Sequence, residues 1–214
     1  NRLKLQFVEP GNPIPADTNL IIIPGTKSTI ADLKFLKYQG WDIDIKAHYR
    51  RGGSILGICG GYQILGNEII DDQGYDGTPS KAKGLGLLNV KTKMGKEKNL
   101  GKKEFISTIN GKKISGYEIH LGITSGSDCN NPFAILGNRK DGAISSNGLV
   151  MGTYLHGLFF SDEFRNNFVA KLSSEEKKED ISFHDSIEFI LEEFVRVIED
   201  NLDVDSILSV ARNI

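Results

Sequence analysis

The run Ser54-Ile55-Leu56-Gly57-Ile58-Cys59-Gly60-Gly61 constrains the fold more than any other stretch of the chain. Its apolar residues predict a strand, and the glycines predict a tight turn into a helix over Tyr62 to Ile70. An earlier run has the same plan. Leu20-Ile21-Ile22-Ile23 is closed by Pro24-Gly25, Ser28 and Thr29 are candidate caps, and Ile30, Leu33 and Leu36 recur at helical spacing before Gly40. So continuous an apolar run suits a strand buried on both faces, as in a parallel sheet. A second helix is expected over 42–51. Strand, helix, strand, tight turn and helix in that order predict an α/β domain, a three-layer sandwich about a mostly parallel sheet.

The middle of the chain reads differently. Gly84 to Val90, Phe105 to Ile109, Lys113 to Ile123, Phe133 to Leu136 and Leu149 to Leu155 are expected strands. Asn110-Gly111 marks an antiparallel hairpin between two of them. Ser161 opens a helix with Asp162 and Glu163 in its first turn and Phe164, Phe168 and Leu172 along one side. A mixed charge run over 173–180 reads as a solvated connection, and Ile187, Ile190, Leu191, Phe194 and Ile198 place an apolar stripe on a C-terminal helix. The expected organisation is one domain over 1–172, with a connection and helical tail over 173–214 packed on it.

Charge and composition exclude several classes of function. Lys plus Arg total 26 against 28 for Asp plus Glu, which removes the basic footprint of a nucleic-acid binder. No apolar run approaches the ~20 residues of a membrane span. Two cysteines, Cys59 and Cys129, argue against a disulfide scaffold and lead us to expect a reducing cytoplasm. The start at Asn1, without Met or a signal sequence, leads us to expect a piece of a longer polypeptide.

Gly57-Ile58-Cys59-Gly60-Gly61 has the form G-x-C-x-G, the cysteine counterpart of the nucleophile elbow. Such a turn lifts a sulfur out of the sheet to a helix N-terminus, where N–H groups would lower the thiol pKa. The Gly60 N–H is then placed as an oxyanion donor, and Gly25 in the matching turn as a second. The alternative is a small buried Cys59 in a glycine-rich turn. Cys129, in a polar loop, is expected to be a bystander. Of four histidines, His156 ends an apolar strand before Gly157 and suits a site at strand ends. His120 sits on a strand and could line a pocket, whereas His48 and His184 are expected on helix surfaces. Glu118, Asp162 and Glu163 are candidate orienting carboxylates, so a dyad and a triad are both open. Pro24 to Thr29 lacks the glycine spacing of a P-loop, and no Cys/His spacing fits zinc.

Together, Ile23-Pro24-Gly25-Thr26-Lys27-Ser28-Thr29, the run from Gly57 to Gly66, Gly84-Leu85-Gly86-Leu87-Leu88, Gly116-Tyr117-Glu118-Ile119-His120 and Gly152 to Phe159 resemble a class I (triad-type) glutamine amidotransferase domain. Within that class they are similar to the C-terminal domain of cobyric acid synthases. The resemblance implies a flavodoxin-like fold, Cys59 as nucleophile, His156 as acid and base, and Gln63 near the glutamine site. It also implies Tyr117, Glu118 and His120 on the substrate side or in an orienting role. Expected partners are L-glutamine, a corrinoid acceptor and an N-terminal ATP-binding synthetase domain. ATP and Mg²⁺ are expected on that domain, and no cofactor or metal on this chain. The class commonly places Glu two residues after the histidine, where this chain has Leu158. Related activities on cobyrinic acid or peptidoglycan lipid precursors, and a non-catalytic docking module, are the alternatives.

Overall fold

The computed structural model describes residues 3–172 and 182–212, without the side chains at 97–100, 102, 103 and 184. In chain order its first half holds β1 (Leu20–Ile23), α1 (Thr29–Tyr38), α2 (Trp41–Arg50), β2 (Ser54–Ile58), α3 (Gly60–Leu65), β3 (Glu68–Asp71) and β4 (Ser80–Lys83). Then come β5 (Val90–Ser107), β6 (Lys113–Gly126), β7 (Ala134–Leu136), β8 (Arg139–Asp141), β9 (Ala143–Ile144), β10 (Val150–Thr153) and β11 (Leu155–His156). Helices α4 (Asp162–Leu172), α5 (Phe183–Asn201) and α6 (Val204–Arg212) close the chain.

One sheet has the order β1-β2-β10-β9, with the first three strands parallel and β9 antiparallel. Successive side chains of a strand point to opposite faces, and the two cores follow that alternation. Ile21, Ile23, Ile55 and Val150 pack with Ile30, Leu33, Leu36 and Ile45 of α1 and α2. Leu56 and Met151 pack with Phe164 and Phe168 of α4, with Phe105 and Ile114 of the second sheet, and with Phe133 just before β7. The parallel strands therefore form a middle layer buried on both sides, as their continuous apolar runs predict. This is an α/β fold.

The antiparallel part is a sheet in its own right, ordered β11-β6-β5-β3-β4, with β7 and β8 beside β5. Its spine is the β5–β6 hairpin, closed where Gly111 takes φ +70° after Asn110.

Several expectations need correction. The helix after Cys59 stops at Leu65, and the chain resumes as β3, so Tyr62 to Ile70 is not one helix. The segment from Gly84 to Asn89 is a loop. Its Leu85, Leu87 and Leu88 N–H groups donate to the carbonyls of Ile64 and Leu65 at 2.8–3.0 Å, which satisfies the exposed carbonyl end of α3. His48 is buried, with Nε2 3.0 Å from the Ser54 carbonyl and its ring against Gly53. Ser28 precedes α1 without capping it; Asp76 Oδ2 accepts from the Ile30 N–H instead, at 3.2 Å. The apolar stripe of the tail is exposed, Ile190 by 63% and Phe194 by 60%. Near its start α5 is held by the Phe183 N–H on Asp162 Oδ1 and by a Phe160–Phe183 stack. The charge run at 173–180 and the side chain of His184 lie outside the described residues.

Candidate active site

Three adjacent parallel strands end level with one another. Ile23 and Gly152 both pair with Gly57, and the Cys59 N–H donates to the Thr153 carbonyl at 2.8 Å. Open α/β sheets present their sites at such carboxyl ends. β1 delivers the turn from Pro24 to Ser28, β2 delivers Cys59, and β10 continues through Tyr154 to His156 on β11.

Cys59 has φ 54° and ψ −110°, and among the described residues no other non-glycine residue has positive φ. A cysteine held there is under backbone strain, the mark of a nucleophile elbow. Its neighbours must be small. A Cβ on Gly61 would lie 2.0 Å from the Ile23 carbonyl oxygen.

Gly25 separates the thiol from the imidazole. A Cβ there would stand 2.8 Å from His156 Cε1 and 3.4 Å from Cys59 Cβ. Both side chains therefore border the same methyl-sized space, and only glycine leaves it open. At rest Cys59 Sγ donates to the Ile119 carbonyl of β6 at 3.3 Å. His156 stacks on Tyr117, with ring centroids 5.1 Å apart and planes 10° apart. Its Nε2 is buried without a hydrogen-bond partner.

Electrostatics corrects one expectation. Burial pushes the Cys59 thiol up, and the Gly60 N–H pulls it partly back. The helix that follows has only six residues and is wholly buried, so desolvation of the thiolate wins over helix-end stabilisation. Burial also lowers the pKa of His156. Both shifts favour the uncharged forms, the thiol of Cys59 and the neutral imidazole of His156.

The remaining predicted residues divide cleanly. Glu118 is buried and paired with Arg139 at 2.5 Å. Asp162 bonds Arg165 and the Phe183 N–H, while Glu163 reaches Lys112. These three candidate orienting carboxylates thus have other partners among the described residues, and none of these bonds runs to His156. His120 stacks on Tyr154 with centroids 3.7 Å apart, and burial lowers its pKa. Gln63 is buried, and both hydrogens of its amide are used, on the Leu121 carbonyl at 3.1 Å and on Tyr154 Oη at 3.2 Å. Cys129 Sγ lies 3.7 Å from Tyr62 Oη. Tyr154, Thr124, Arg139 and the Ile119 carbonyl escape sequence reasoning. Only Tyr154 carried a signal, two residues before His156 in the same apolar run.

Residues 1–164 match the CobB/CobQ-like glutamine amidotransferase domain. The chain belongs to this family. It is 48% identical over 210 residues to a cobyric acid synthase of Cereibacter sphaeroides and 49% identical over 208 residues to one of Bradyrhizobium diazoefficiens. The alignments cover 98% and 97% of this chain, but 43% of each relative. The amidotransferase domain thus spans less than half the length of these curated relatives. Among solved structures, a glutamine amidotransferase superposes with TM-score 0.53 at 18% identity, over 75% of this chain and 82% of that one. PurLQS from Thermotoga maritima has the same score and identity, over 74% and 82%. Both likenesses bear on fold. No helix among the described residues is long and apolar enough to cross a membrane.

Proposed function

We propose that this domain hydrolyses L-glutamine through a thioester on Cys59, and that the ammonia goes to ATP-dependent amidation of corrin carboxylates on an N-terminal synthetase domain. The observation that carries the reading is the strained Cys59 facing His156 across Gly25. The length and printed names of the curated relatives support the synthetase half.

In this mechanism Sγ leaves the Ile119 carbonyl and gives its proton to His156. The thiolate attacks the side-chain carbonyl carbon of glutamine, and the N–H groups of Gly60 and Gly25 hold the oxyanion. His156 returns the proton to the departing nitrogen, the C–N bond breaks, and ammonia leaves. A water then attacks the thioester carbonyl and yields its proton to His156, which passes it to the leaving sulfur. Glutamate is released and the thiol restored. Tyr117, Glu118 and His120 are the substrate-side or orienting candidates, and of these Tyr117 stacks on His156. ATP and Mg²⁺ belong to the synthetase domain in this reading, because the Pro24–Thr29 turn opens onto Cys59 and His156 and lacks the spacing of a phosphate cradle. A reducing cytoplasm, which keeps the thiol free, is the compartment.

The test is to incubate the purified chain with glutamine and follow glutamate and ammonia. Slow release that Cys59→Ala abolishes is expected. Equal release by wild type and variant, or none from wild type, would defeat the reading.

A further inference from the structure

Behind Cys59 and His156 runs a chain of buried side-chain hydrogen bonds that the proposed reaction does not use. Thr29 Oγ1 donates to Gln63 Oε1 at 3.0 Å, and Gln63 Nε2 donates to Tyr154 Oη at 3.2 Å. The Tyr154 and Thr124 hydroxyls are 2.5 Å apart, and those of Thr124 and Thr92 are 2.6 Å apart. Donor chemistry fixes the direction of its first links. An amide nitrogen can only donate, so Tyr154 Oη accepts from Gln63, while in the Tyr154–Thr124 and Thr124–Thr92 hydroxyl pairs either oxygen can be the donor. Each bond then polarises the next. Burial pushes the Tyr154 phenol up to about 12, so it stays protonated wherever the protein works.

The links fall on the segments that carry the site. Thr29 opens α1 just after the Gly25 turn. Gln63 lies one turn along the helix that Cys59 begins, and its own N–H donates to the Cys59 carbonyl at 3.2 Å. Tyr154 stands two residues before His156, between β10 and β11, and Thr124 and Thr92 belong to β6 and β5. The Tyr154 ring is clamped as well, stacked on His120 and edge-on to Tyr62 at 5.1 Å. Moving its hydroxyl would shift the nucleophile's helix against the base's strand.

We infer that Tyr154 is a positioning residue whose hydroxyl, held between Gln63 and Thr124, sets the separation of Cys59 and His156. Gln63 then serves as a member of this strut, with both amide hydrogens committed to it and to β6. The inference rests on the reading that Cys59 and His156 are the reacting pair.

Two readouts on the purified chain test it. One is kcat and KM for glutamine; the other is the pH profile of iodoacetamide alkylation at Cys59, which needs no glutamine. A misplacement near 1 Å can cost on the order of 100-fold, so Tyr154→Phe is expected to lower kcat by about 10- to 100-fold. KM should stay within about 2-fold, because positioning acts on the transition state. The alkylation profile should move toward that of His156→Ala. Ser145→Ala removes a buried hydroxyl that accepts from the Val150 N–H at 3.0 Å, at the far end of β10. It should lower the melting temperature and leave both readouts at wild-type values. Should Tyr154→Phe fail to fold, Thr124→Val removes the hydroxyl that partners Tyr154 Oη and should shift the profile in the same direction. Wild-type kcat and profile in the variant, or lost kcat with an unmoved profile, would overturn the inference. If wild type and His156→Ala share one profile, the pairing itself fails and the strut falls with it.

Discussion

The two sheets of this domain divide the work of the site. The parallel sheet supplies the proposed nucleophile, Cys59 at the end of β2, and its strand β10 leads the chain to the proposed base, His156, which lies on β11 at the edge of the antiparallel sheet. The antiparallel sheet supplies what surrounds them: the Ile119 carbonyl on Sγ, the Tyr117 ring on His156 and the Thr124 hydroxyl in the strut. Its exposure is also uneven, with β6 burying alternate residues and leaving Tyr117 and Ile119 partly open. The proposed nucleophile sits at the end of a strand buried on both faces. Tuning comes from the strand laid across the opening.

Breaking the parallel side should cost most. Cys59→Ala is expected to remove glutamine hydrolysis, by at least 10³-fold as for the loss of other enzyme nucleophiles, with a melting temperature near that of wild type. A glutamine-mimicking electrophile should modify Cys59 and spare Cys129, as mass-spectrometric mapping would reveal. The selectivity cannot come from a low resting pKa, since burial raises that of Cys59. It comes from delivery of the electrophile to a thiol with a base beside it. Equal labelling of the two cysteines would erase the distinction between the sheets.

Gly25→Ala comes next. The added methyl would overlap His156 Cε1 at 2.8 Å and press on Cys59 Cβ at 3.4 Å. Small displacements between reacting groups are costly, so kcat/KM should fall by about 10- to 100-fold. Steady-state kinetics with glutamine provides the measurement. An unchanged rate would mean that the two side chains do not meet across this glycine.

The same division governs what the sequence made legible. Continuous apolar strands and a glycine-flanked cysteine leave few alternatives, so β1, β2, the elbow and the position of His156 could be read directly. Helical periodicity was read correctly in α1, α2, α4 and α5, though not beyond Leu65, and it does not reveal whether a stripe has a partner. Phe164 and Phe168 of α4 are buried, while Ile190 and Phe194 of α5, on an equally regular stripe, are exposed. Gly84 to Val90 misled because backbone hydrogen bonds to the end of α3, and not side-chain alternation, hold it. His48 misled because its partner is a backbone carbonyl, which no residue type announces. The strut was invisible for a similar reason. Thr29, Gln63, Tyr154, Thr124 and Thr92 are far apart in the chain, and ordinary residues individually.

The antiparallel side should be milder and show in two ways. Tyr117→Ala removes the ring that stacks on His156, while the β6–β11 pairing that holds the backbone stays in place. Stacked aromatic pairs contribute about 0.5–1.5 kcal/mol, so kcat/KM should fall by about 2- to 10-fold. The second effect is on pH. His156 must be neutral to accept the thiol proton, so the acid limb of kcat/KM reports its pKa in the free enzyme. Burial holds that pKa below the ordinary 6.5, and the wild-type limb should therefore lie below pH 6.5. Removing Tyr117 admits water to one face of the imidazole and relieves part of the desolvation that disfavours the charged form. The limb should accordingly move up, toward 6.5, in the same variant that loses rate. A pH-rate profile of kcat/KM for both proteins decides the matter. A limb that stays put while the rate falls would assign Tyr117 to substrate contact alone, and the antiparallel sheet would then cover the base without tuning it.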